Sequence, residues 1–204
     1  MITLTNVSKE LKGKVVLDNL SFSLNKSDCV LVKGKNGSGK TMLLRILSRL
    51  IKPTTGKIEF SDNQAKLGVI IENISFFPNE TALYNLRYLA SINKTIDDKH
   101  ILNILKQTNL YDYRNAKVRT FSLGMKHRLA FCQAIMENPD IILLDEPFNA
   151  VDEENIIIMG NILSKFCNEG KIVVVASHIS NYINLPFNRC ITLCDGRMIN
   201  DQLV

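Results

Sequence analysis

The stretch GKNGSGKT, residues 34–41, has the glycine spacing of a loop that binds phosphate. It follows an apolar run and precedes a helical pattern, which is the context that such a loop requires. Backbone N–H groups can surround phosphate oxygens, Lys40 can reach the β- and γ-phosphates, and the Thr41 hydroxyl can ligate Mg²⁺. We therefore predict a nucleotide site, the alternative being a glycine-rich turn without a ligand. The predicted nucleotide contacts are Gly34, Lys35, Asn36, Gly37, Ser38, Gly39, Lys40, Thr41 and Met42.

The stretch IILLDEP, residues 141–147, places two adjacent carboxylates at the end of an apolar run. Asp145 could hold Mg²⁺ through water, and Glu146 could orient an attacking water. An Asp-Glu pair that stands alone commonly only ends a strand and caps the following segment. Because this chain also carries a phosphate loop, we interpret the pair as part of the nucleotide site.

A second stretch with small residues, the Ser-x-Gly sequence in FSLGMKHRLA at residues 121–130, precedes another helical pattern. Ser122 suits a helix cap, and the exposed amides that follow it could meet a phosphate. Residues 113–136 contain no acidic side chain, which predicts positive potential around this helix end; the alternative is an ordinary solvated basic face. The cations of the segment are Arg114, Lys117, Arg119, Lys126 and Arg128.

The elements that must position these residues include strands of two kinds. Residues 2–32 alternate as short antiparallel strands do, with a turn at Lys12-Gly13-Lys14, and residues 57–60 and 67–71 continue the strand pattern. IILLD and IVVVA have the continuous apolar character of buried parallel strands. Asp195-Gly196, between two apolar runs, predicts a two-residue hairpin.

Helical patterns separate these strands. After the phosphate loop, Arg45, Ser48 and Arg49 fall on a polar face. The opposite, apolar face contains Leu43, Ile46, Leu47, Leu50 and Ile51. Residues 81–137 carry almost no strand signal, and helices are predicted there at residues 81–90 and 97–107. Another helix is predicted at residues 153–169, before Gly170.

Composition excludes several classes of protein. At 204 residues we expect one domain covering residues 1–204, and no apolar run approaches the roughly 18–20 residues that span a bilayer. The first residues lack a secretory signal, which predicts a cytoplasmic location. Five cysteines without a C-x-x-C pair predict buried, reduced thiols and no zinc. The net charge of +5 is mild, and no nucleic-acid partner is expected.

The ordered motifs GKNGSGKT, FSLGM, IILLDEP, FNAVD and ASH resemble those of the ATP-binding cassette (ABC) ATPases from end to end. The resemblance implies an α/β P-loop NTPase fold with a RecA-like core. It also implies an N-terminal antiparallel β subdomain and a helical subdomain inserted at about residues 73–137. The implied cofactors are ATP and Mg²⁺.

The resemblance further implies that two chains share each site. Ser122 and Gly124 would bind the γ-phosphate of ATP held by another subunit's phosphate loop, giving an ATP-dependent, head-to-tail homodimer. Glu146 matches the family's catalytic glutamate, and His178 matches the histidine that contacts γ-phosphate and water. The segment 149–152 corresponds to the loop that crosses the dimer interface. Leu123 and Met125 depart from the family's LSGGQ motif.

At the position of the family's Q-loop glutamine stands Glu72, which would add a carboxylate to the predicted metal ligands Thr41 and Asp145. A carboxylate is a harder ligand than an amide and should favour metal-bound ATP, and without metal the crowded carboxylates should show a raised pKa. Glu72 together with SLGMKHRLA resembles the ATPases of bacterial exporters of peptide antibiotics, namely those that give immunity to lantibiotics or resistance to bacitracin. In the family an aromatic residue stacks on adenine, and the corresponding position in this chain is Leu11.

The resemblance implies separate transmembrane permease subunits as partners, and a peripheral position on the inner face of the cell membrane. The stretch SFFPNETALYNL, after Glu72, would offer aromatic residues to the permease, although Phe76 and Phe77 could equally pack in the core. One alternative function is an ABC ATPase that acts on ribosomes or DNA without transport. A small P-loop kinase is another, but it leaves Ser122, Asp152 and His178 unexplained.

Overall fold

The computed structural model describes residues 1–72, 75–93, 96–178 and 185–204. The strands are β1 (Ile2–Leu11), β2 (Lys14–Leu24), β3 (Cys29–Lys33), β4 (Thr55–Phe60), β5 (Leu67–Ile70), β6 (Ile141–Asp145), β7 (Ile172–Ser177), β8 (Arg189–Cys194) and β9 (Arg197–Leu203). The α-helices are α1 (Lys40–Leu47), α2 (Ala82–Asn93), α3 (Asp98–Gln107), α4 (Leu123–Ile135) and α5 (Glu153–Asn168). Within the described ranges, none of the helices is long and apolar enough to cross a membrane.

The strands form two sheets. An antiparallel sheet has the order β2-β1-β4, and a six-stranded sheet has the order β5-β6-β7-β3-β8-β9, parallel except for β9. In β7 all six residues are buried, as expected for a parallel strand covered on both faces. These sheets confirm the predicted α/β class and its N-terminal antiparallel subdomain.

The register of the parallel sheet aligns the ends of its three central strands. Lys33, the last residue of β3, is opposite Ser177, the last residue of β7, and Asp145 at the end of β6 is opposite Ala176. The carboxyl ends of β6, β7 and β3 therefore meet at one edge, where ligands bind in open α/β sheets. The phosphate loop, the Asp-Glu pair and His178 all leave the sheet at this edge.

The helical part lies between β5 and β6 in sequence, as predicted. Its helices α2, α3 and α4 pack around one apolar cluster that includes Leu86, Ile104 and the fully buried Phe131. An isolated bridge joins Thr81 to Lys117, which is the only strand-like pairing within the described residues 75–93 and 96–137. Helix α4 contacts the sheet at β5.

Three details of the sequence predictions are wrong. Helix α1 ends at Leu47 with Ser48 as its cap, so Leu50 lies beyond the apolar face and is 67% exposed. Cys194 is exposed, whereas the other four cysteines are buried and all five are free. Arg128 is buried and donates to the Thr108 and Asn109 carbonyl oxygens, so it adds no charge to the surface.

Gly68 in β5 generates a prediction about stability. A Cβ at this position would lie 2.0 Å from the backbone oxygen of Ala134 in α4. We expect Gly68→Ala to lower the free energy of unfolding by about 1–3 kcal/mol, because the helix must move away from the sheet. Urea denaturation followed by circular dichroism measures this. The exposed Leu50→Ala serves as the control, and equal stability of the two variants would contradict the packing described.

Candidate nucleotide site

The phosphate loop is shaped by glycines that no other residue could easily replace. Gly37 and Gly39 have φ angles of +82° and +104°, which L side chains rarely adopt. A Cβ on Gly39 would also lie 2.7 Å from Leu17 Cδ2, and one on Gly34 would lie 2.6 Å from the Leu193 carbonyl oxygen. The loop is thus held closely between β2 and β8, and its backbone leads directly into the amino end of α1.

Two polar side chains of the loop fit a bound phosphate. Lys40 is 6% exposed, and its Nζ donates to the backbone oxygens of Gly34 and Lys35 at 2.7 and 3.2 Å. Among the residues that the structure describes, no carboxylate forms an ion pair with Lys40. Ser38 Oγ is buried without a hydrogen-bond partner in the same part of the chain. A phosphate oxygen would supply the anionic acceptor that both groups lack.

Thr41 and Asp145 come together from helix α1 and strand β6. The Thr41 hydroxyl donates to Asp145 Oδ2 at 2.6 Å. Burial is the main cause that raises the pKa of Asp145, and the charges of Glu146 and Glu72 raise it further, against the Thr41 hydrogen bond and Lys40. The expected carboxylate crowding is thus confirmed in direction, although burial has the larger effect.

The hydroxyl and carboxylate oxygens of Thr41 and Asp145 are hard donors, which suits Mg²⁺. Within the described residues, no group of three or more His, Cys, Asp or Glu side chains could hold a metal ion. The side chains present therefore fit an ion that takes most of its ligands from water and from nucleotide phosphates, as Mg²⁺ does.

Glu146 is held at three points by the end of strand β7. Its Oε2 accepts from Ser177 Oγ at 3.0 Å, and its Oε1 accepts from the His178 backbone N–H at 2.9 Å. His178 Nδ1 lies 2.8 Å from the same Oε1. Glu146 itself has a φ of +47°, an uncommon value for a residue other than glycine. The structure thus unites the two predicted catalytic residues and adds Ser177, a residue of the motif ASH for which no role was predicted.

Glu72, which follows β5, also lies at the site. It has a φ of +61° and forms an ion pair with Arg45, a residue of α1 that the sequence placed on a polar face without a role. Both side chains line a cleft of about 290 Å³ beside the phosphate loop. The cleft is lined by Val16, Asn36, Gly37, Gly39, Lys40, Thr41, Met42, Arg45, Glu72, Asp145 and Glu146. Leu11, the predicted position of adenine stacking, does not line it.

Ser122 lies outside this cleft, in an exposed position. Its Oγ accepts from the Met125 backbone N–H at 3.2 Å, so the predicted helix cap is confirmed. Gly124 is buried, and a Cβ there would lie 2.2 Å from the Ala150 carbonyl oxygen. The first turn of α4 therefore packs through Gly124 on the loop after Glu146, while Ser122 at the cap is exposed to solvent.

The cations near Ser122 separate into two groups. Lys117 and Arg119 are exposed, and Lys126 is half-buried, so these three contribute positive potential near the helix end. Arg114 instead packs over the Tyr111 ring at 4.0 Å and donates to the Tyr111 backbone oxygen. Together with the buried Arg128, this leaves a smaller basic surface than the sequence predicted.

Comparisons with known proteins agree with this geometry. The family model described as ABC transporter matches residues 17–149. The ABC transporter ATP-binding protein YybJ of Bacillus subtilis is 41% identical over 96% of this chain and 90% of its own length. The lantibiotic transport ATP-binding protein SrtF of Streptococcus pyogenes is 29% identical, with 88% of this chain and 80% of SrtF covered.

Two solved structures of the cassette MJ0796 extend the likeness to the fold. The dimeric structure has a TM-score of 0.89 and 30% identity, and it covers 100% of this chain and 98% of its own. A dimeric post-hydrolysis state of the same cassette, bound to ADP and Pi, has a TM-score of 0.88 and 28% identity. It also covers 100% of this chain and 98% of its own. The likeness to these cassettes supports the predicted fold.

The contact between Arg45 and Glu72 generates a prediction about metal dependence. We expect Glu72→Gln to retain ATP hydrolysis but to raise the Mg²⁺ concentration at half-maximal rate by about three- to tenfold, because a charged oxygen donor is lost beside the cleft. A Mg²⁺ titration at fixed ATP measures the midpoint. Glu59→Gln, which removes an exposed ion pair with Lys57 on β4, is the matched control. An unchanged midpoint would remove any role for this carboxylate in metal binding.

Proposed function

The chain belongs to the ABC transporter family, and on this premise we propose that it is the ATPase subunit of an exporter that acts with separate membrane permease subunits. It would bind and hydrolyse MgATP at two sites within a head-to-tail homodimer. The observation that carries this proposal is the position of Ser122, which is exposed and lies outside its own chain's phosphate cleft. A capped helix end of this kind is available to a phosphate held by a second copy.

The proposed roles follow from the contacts in the cleft. Lys40 and the loop amides would hold the β- and γ-phosphates, while Thr41 and Asp145 would hold Mg²⁺, which neutralises charge on the transferred phosphoryl group. Glu72, which lines the same cleft, would take part in metal binding. Gly124 and Ser122 would complete the partner's site, since the amides that follow Ser122 point along the axis of α4.

Hydrolysis would proceed by in-line attack of water on the γ-phosphorus, with cleavage of the bond to the bridging oxygen. Glu146 would orient that water, and His178 would contact both the water and the γ-phosphate. The contacts to Ser177 and His178 support this role, because they fix both oxygens of the Glu146 carboxylate at the edge of the cleft. Such positioning is the main contribution that a protein makes to phosphoryl transfer.

Replacing the proposed catalytic carboxylate tests the dimer. We expect Glu146→Gln to bind MgATP but to hydrolyse it at least about 100-fold more slowly, since the amide orients water poorly. ATP would then hold two chains together, and size-exclusion chromatography with MgATP should show a dimer. Glu169→Gln, a change in an exposed residue at the end of α5, should hydrolyse ATP normally. A Glu146→Gln variant that stays monomeric at saturating MgATP would contradict the proposal.

A surface for the permease is proposed at three exposed aromatic side chains. Phe77, Tyr84 and Tyr88 are each 45–47% exposed. The Phe77 ring meets the Tyr88 ring edge-on at 5.0 Å between centroids, and the two tyrosines stack at 6.5 Å. Phe76 packs against the core instead, so the two adjacent phenylalanines differ in role. Exposed aromatic clusters of this kind are typical of protein interfaces.

The cargo is proposed to be a peptide antibiotic. Support comes from the similarity to SrtF, whose name assigns it to lantibiotic transport. Further support comes from Glu72, which lines the cleft and, together with SLGMKHRLA, resembles the ATPases of peptide-antibiotic exporters. The chain would then lie on the inner face of the cell membrane through its permease. Contacts with the cargo itself would be made by the permease.

The aromatic surface generates a prediction that separates docking from hydrolysis. We expect Tyr88→Ala to keep ATP hydrolysis of the isolated protein within about twofold, because the ring lies outside the cleft and is half exposed. Export, measured as resistance of cells to the peptide antibiotic, should fall severalfold. Tyr113→Ala, equally exposed at a separate place, is the control. Full resistance in cells with Tyr88→Ala would exclude this surface.

A further inference from the structure

Helix α4 carries a buried cation, Arg128, which is 8% exposed. Its Nη1 donates to the backbone oxygens of Thr108 and Asn109 at 3.1 Å each, just beyond the carboxyl end of α3. Carbonyl groups at this end of a helix carry partial negative charge, which favours a cation there. Among the residues that the structure describes, no carboxylate forms an ion pair with Arg128. The position of the guanidinium is therefore fixed by the helical part of the chain.

The same nitrogen of Arg128 also contacts Asn155, in the first turn of α5. Arg128 Nη1 donates to Asn155 Oδ1 at 3.0 Å, and Asn155 is likewise 8% exposed. Asn155 Nδ2 in turn donates to both oxygens of the Asp152 carboxylate, at 2.8 and 2.9 Å. A carboxamide can accept from a cation and donate to a carboxylate at the same time, which neither an ionised aspartate nor an aliphatic side chain can do. Asn155 thus joins the buried cation to Asp152.

Asp152 stands at the end of the loop of residues 149–152 and caps α5. Its Oδ1 also accepts from the Asn155 backbone N–H at 3.0 Å. Hydrogen bonds from the backbone and the side chain of Asn155 lower the pKa of Asp152, so the carboxylate stays charged at neutral pH. Asp152 is nevertheless exposed. Its carboxylate therefore lies at the surface in an orientation that Asn155 sets.

A second contact joins the same loop to the same helix. Gly124 lies four residues before Arg128 and thus on the same face of α4. A Cβ on Gly124 would lie 2.2 Å from the Ala150 carbonyl oxygen. Helix α4 therefore contacts the loop at Ala150 by close packing and reaches Asp152 through Asn155. A displacement of α4 would displace the loop at both points.

These contacts place the loop beside the capped end of α4. Ser122 precedes the turn that packs on Ala150, and Ser122, Asn149, Ala150 and Asp152 are all exposed. A second chain whose phosphate reached Ser122 would therefore also meet the surface of this loop. The loop and the helix end form one surface only while their relative position is kept.

From these contacts, and resting on the proposed homodimer, we infer that Asn155 is a positioning residue that holds the loop 149–152 in place against α4 for contact with the second chain. Its carboxamide transmits the position of Arg128 to Asp152. Neither Asn155 nor Arg128 lines the phosphate cleft. Loss of the carboxamide should therefore weaken the association of two chains and leave the binding of nucleotide to a single chain unchanged.

Asn155→Leu tests the inference, because leucine has a similar volume and makes neither contact. It is combined with Glu146→Gln in the full chain, so that bound MgATP is not hydrolysed, and the dissociation constant of the dimer is measured by sedimentation equilibrium at saturating MgATP. We expect that constant to rise by at least about tenfold, because hydrogen bonds to two charged groups are lost. The affinity of the single chain for a fluorescent ADP analogue should stay within about twofold, because the change lies outside the cleft.

Asn85→Leu in the same background is the matched control. Asn85 is a buried asparagine of α2 whose side chain donates to the Phe77 and Thr81 backbone oxygens, away from the loop 149–152. Both leucine variants should lose stability in urea, but only Asn155→Leu should weaken the dimer. An unchanged dissociation constant in Asn155→Leu, or equal weakening in both variants, would overturn the inference and leave the proposed function standing. If Glu146→Gln alone stayed monomeric at saturating MgATP, the proposed function itself would fall.

An exchange of the two polar side chains tests the contact directly. Asn155→Asp sets two carboxylates against each other and should weaken the dimer. Adding Asp152→Asn restores a donor opposite an acceptor, and asparagine caps a helix as well as aspartate does. We expect the double variant to form a dimer at least about fivefold tighter than Asn155→Asp alone, because the two positions are in contact. Effects of the two changes that simply add would overturn the inference.

Discussion

The site depends on the parallel pairing of β6, β7 and β3. Their hydrogen-bonded register brings Asp145, Ser177 and Lys33 to the same edge of the sheet. The residues that follow each strand therefore also lie at this edge. Because side chains alternate between faces, a slip of one residue in β7 would turn Ser177 away and disconnect His178 from Glu146. The apolar strands IILLD and IVVVA, buried on both faces, make such a slip costly, since every residue would change its packing partners.

The same edge explains why so many of its residues have unusual backbone conformations. Glu72, Glu146 and Ala150 all have positive φ angles, and each stands where the chain turns sharply out of the sheet or past it. Such conformations cost about 1–3 kcal/mol each and persist only where the surroundings hold them. For Glu146 the surroundings are identifiable, namely three hydrogen bonds from Ser177 and His178 together with a backbone N–H donated to the Ala176 oxygen at 2.9 Å.

Much of this could be read from the sequence, for reasons that differ between elements. The phosphate loop and IILLDEP are local motifs, so the spacing of their residues predicts their geometry. The continuous apolar composition of the strands IILLD and IVVVA indicates a parallel sheet. The end of α1 could not be placed, because Leu50 continues the helical period and only the positive φ of Arg49 breaks it. The pairing of Arg45 with Glu72 and the burial of Arg128 were likewise hidden, since each is created by contacts between segments far apart in sequence.

Helix α4 connects the two halves of the proposed mechanism within one chain. Its first turn packs on the loop after Glu146, through the contact of Gly124 with Ala150. One turn further on lies His127, whose pKa is lowered by burial, while the nearby backbone of Glu146 acts in the opposite direction. In the proposed dimer, a partner's phosphate that binds at Ser122 would therefore act on a helix that already packs on the backbone beside the proposed catalytic residue Glu146. Docking of the second chain and orientation of Glu146 are then linked by packing alone, because a rigid helix cannot move at one end without displacing both contacts.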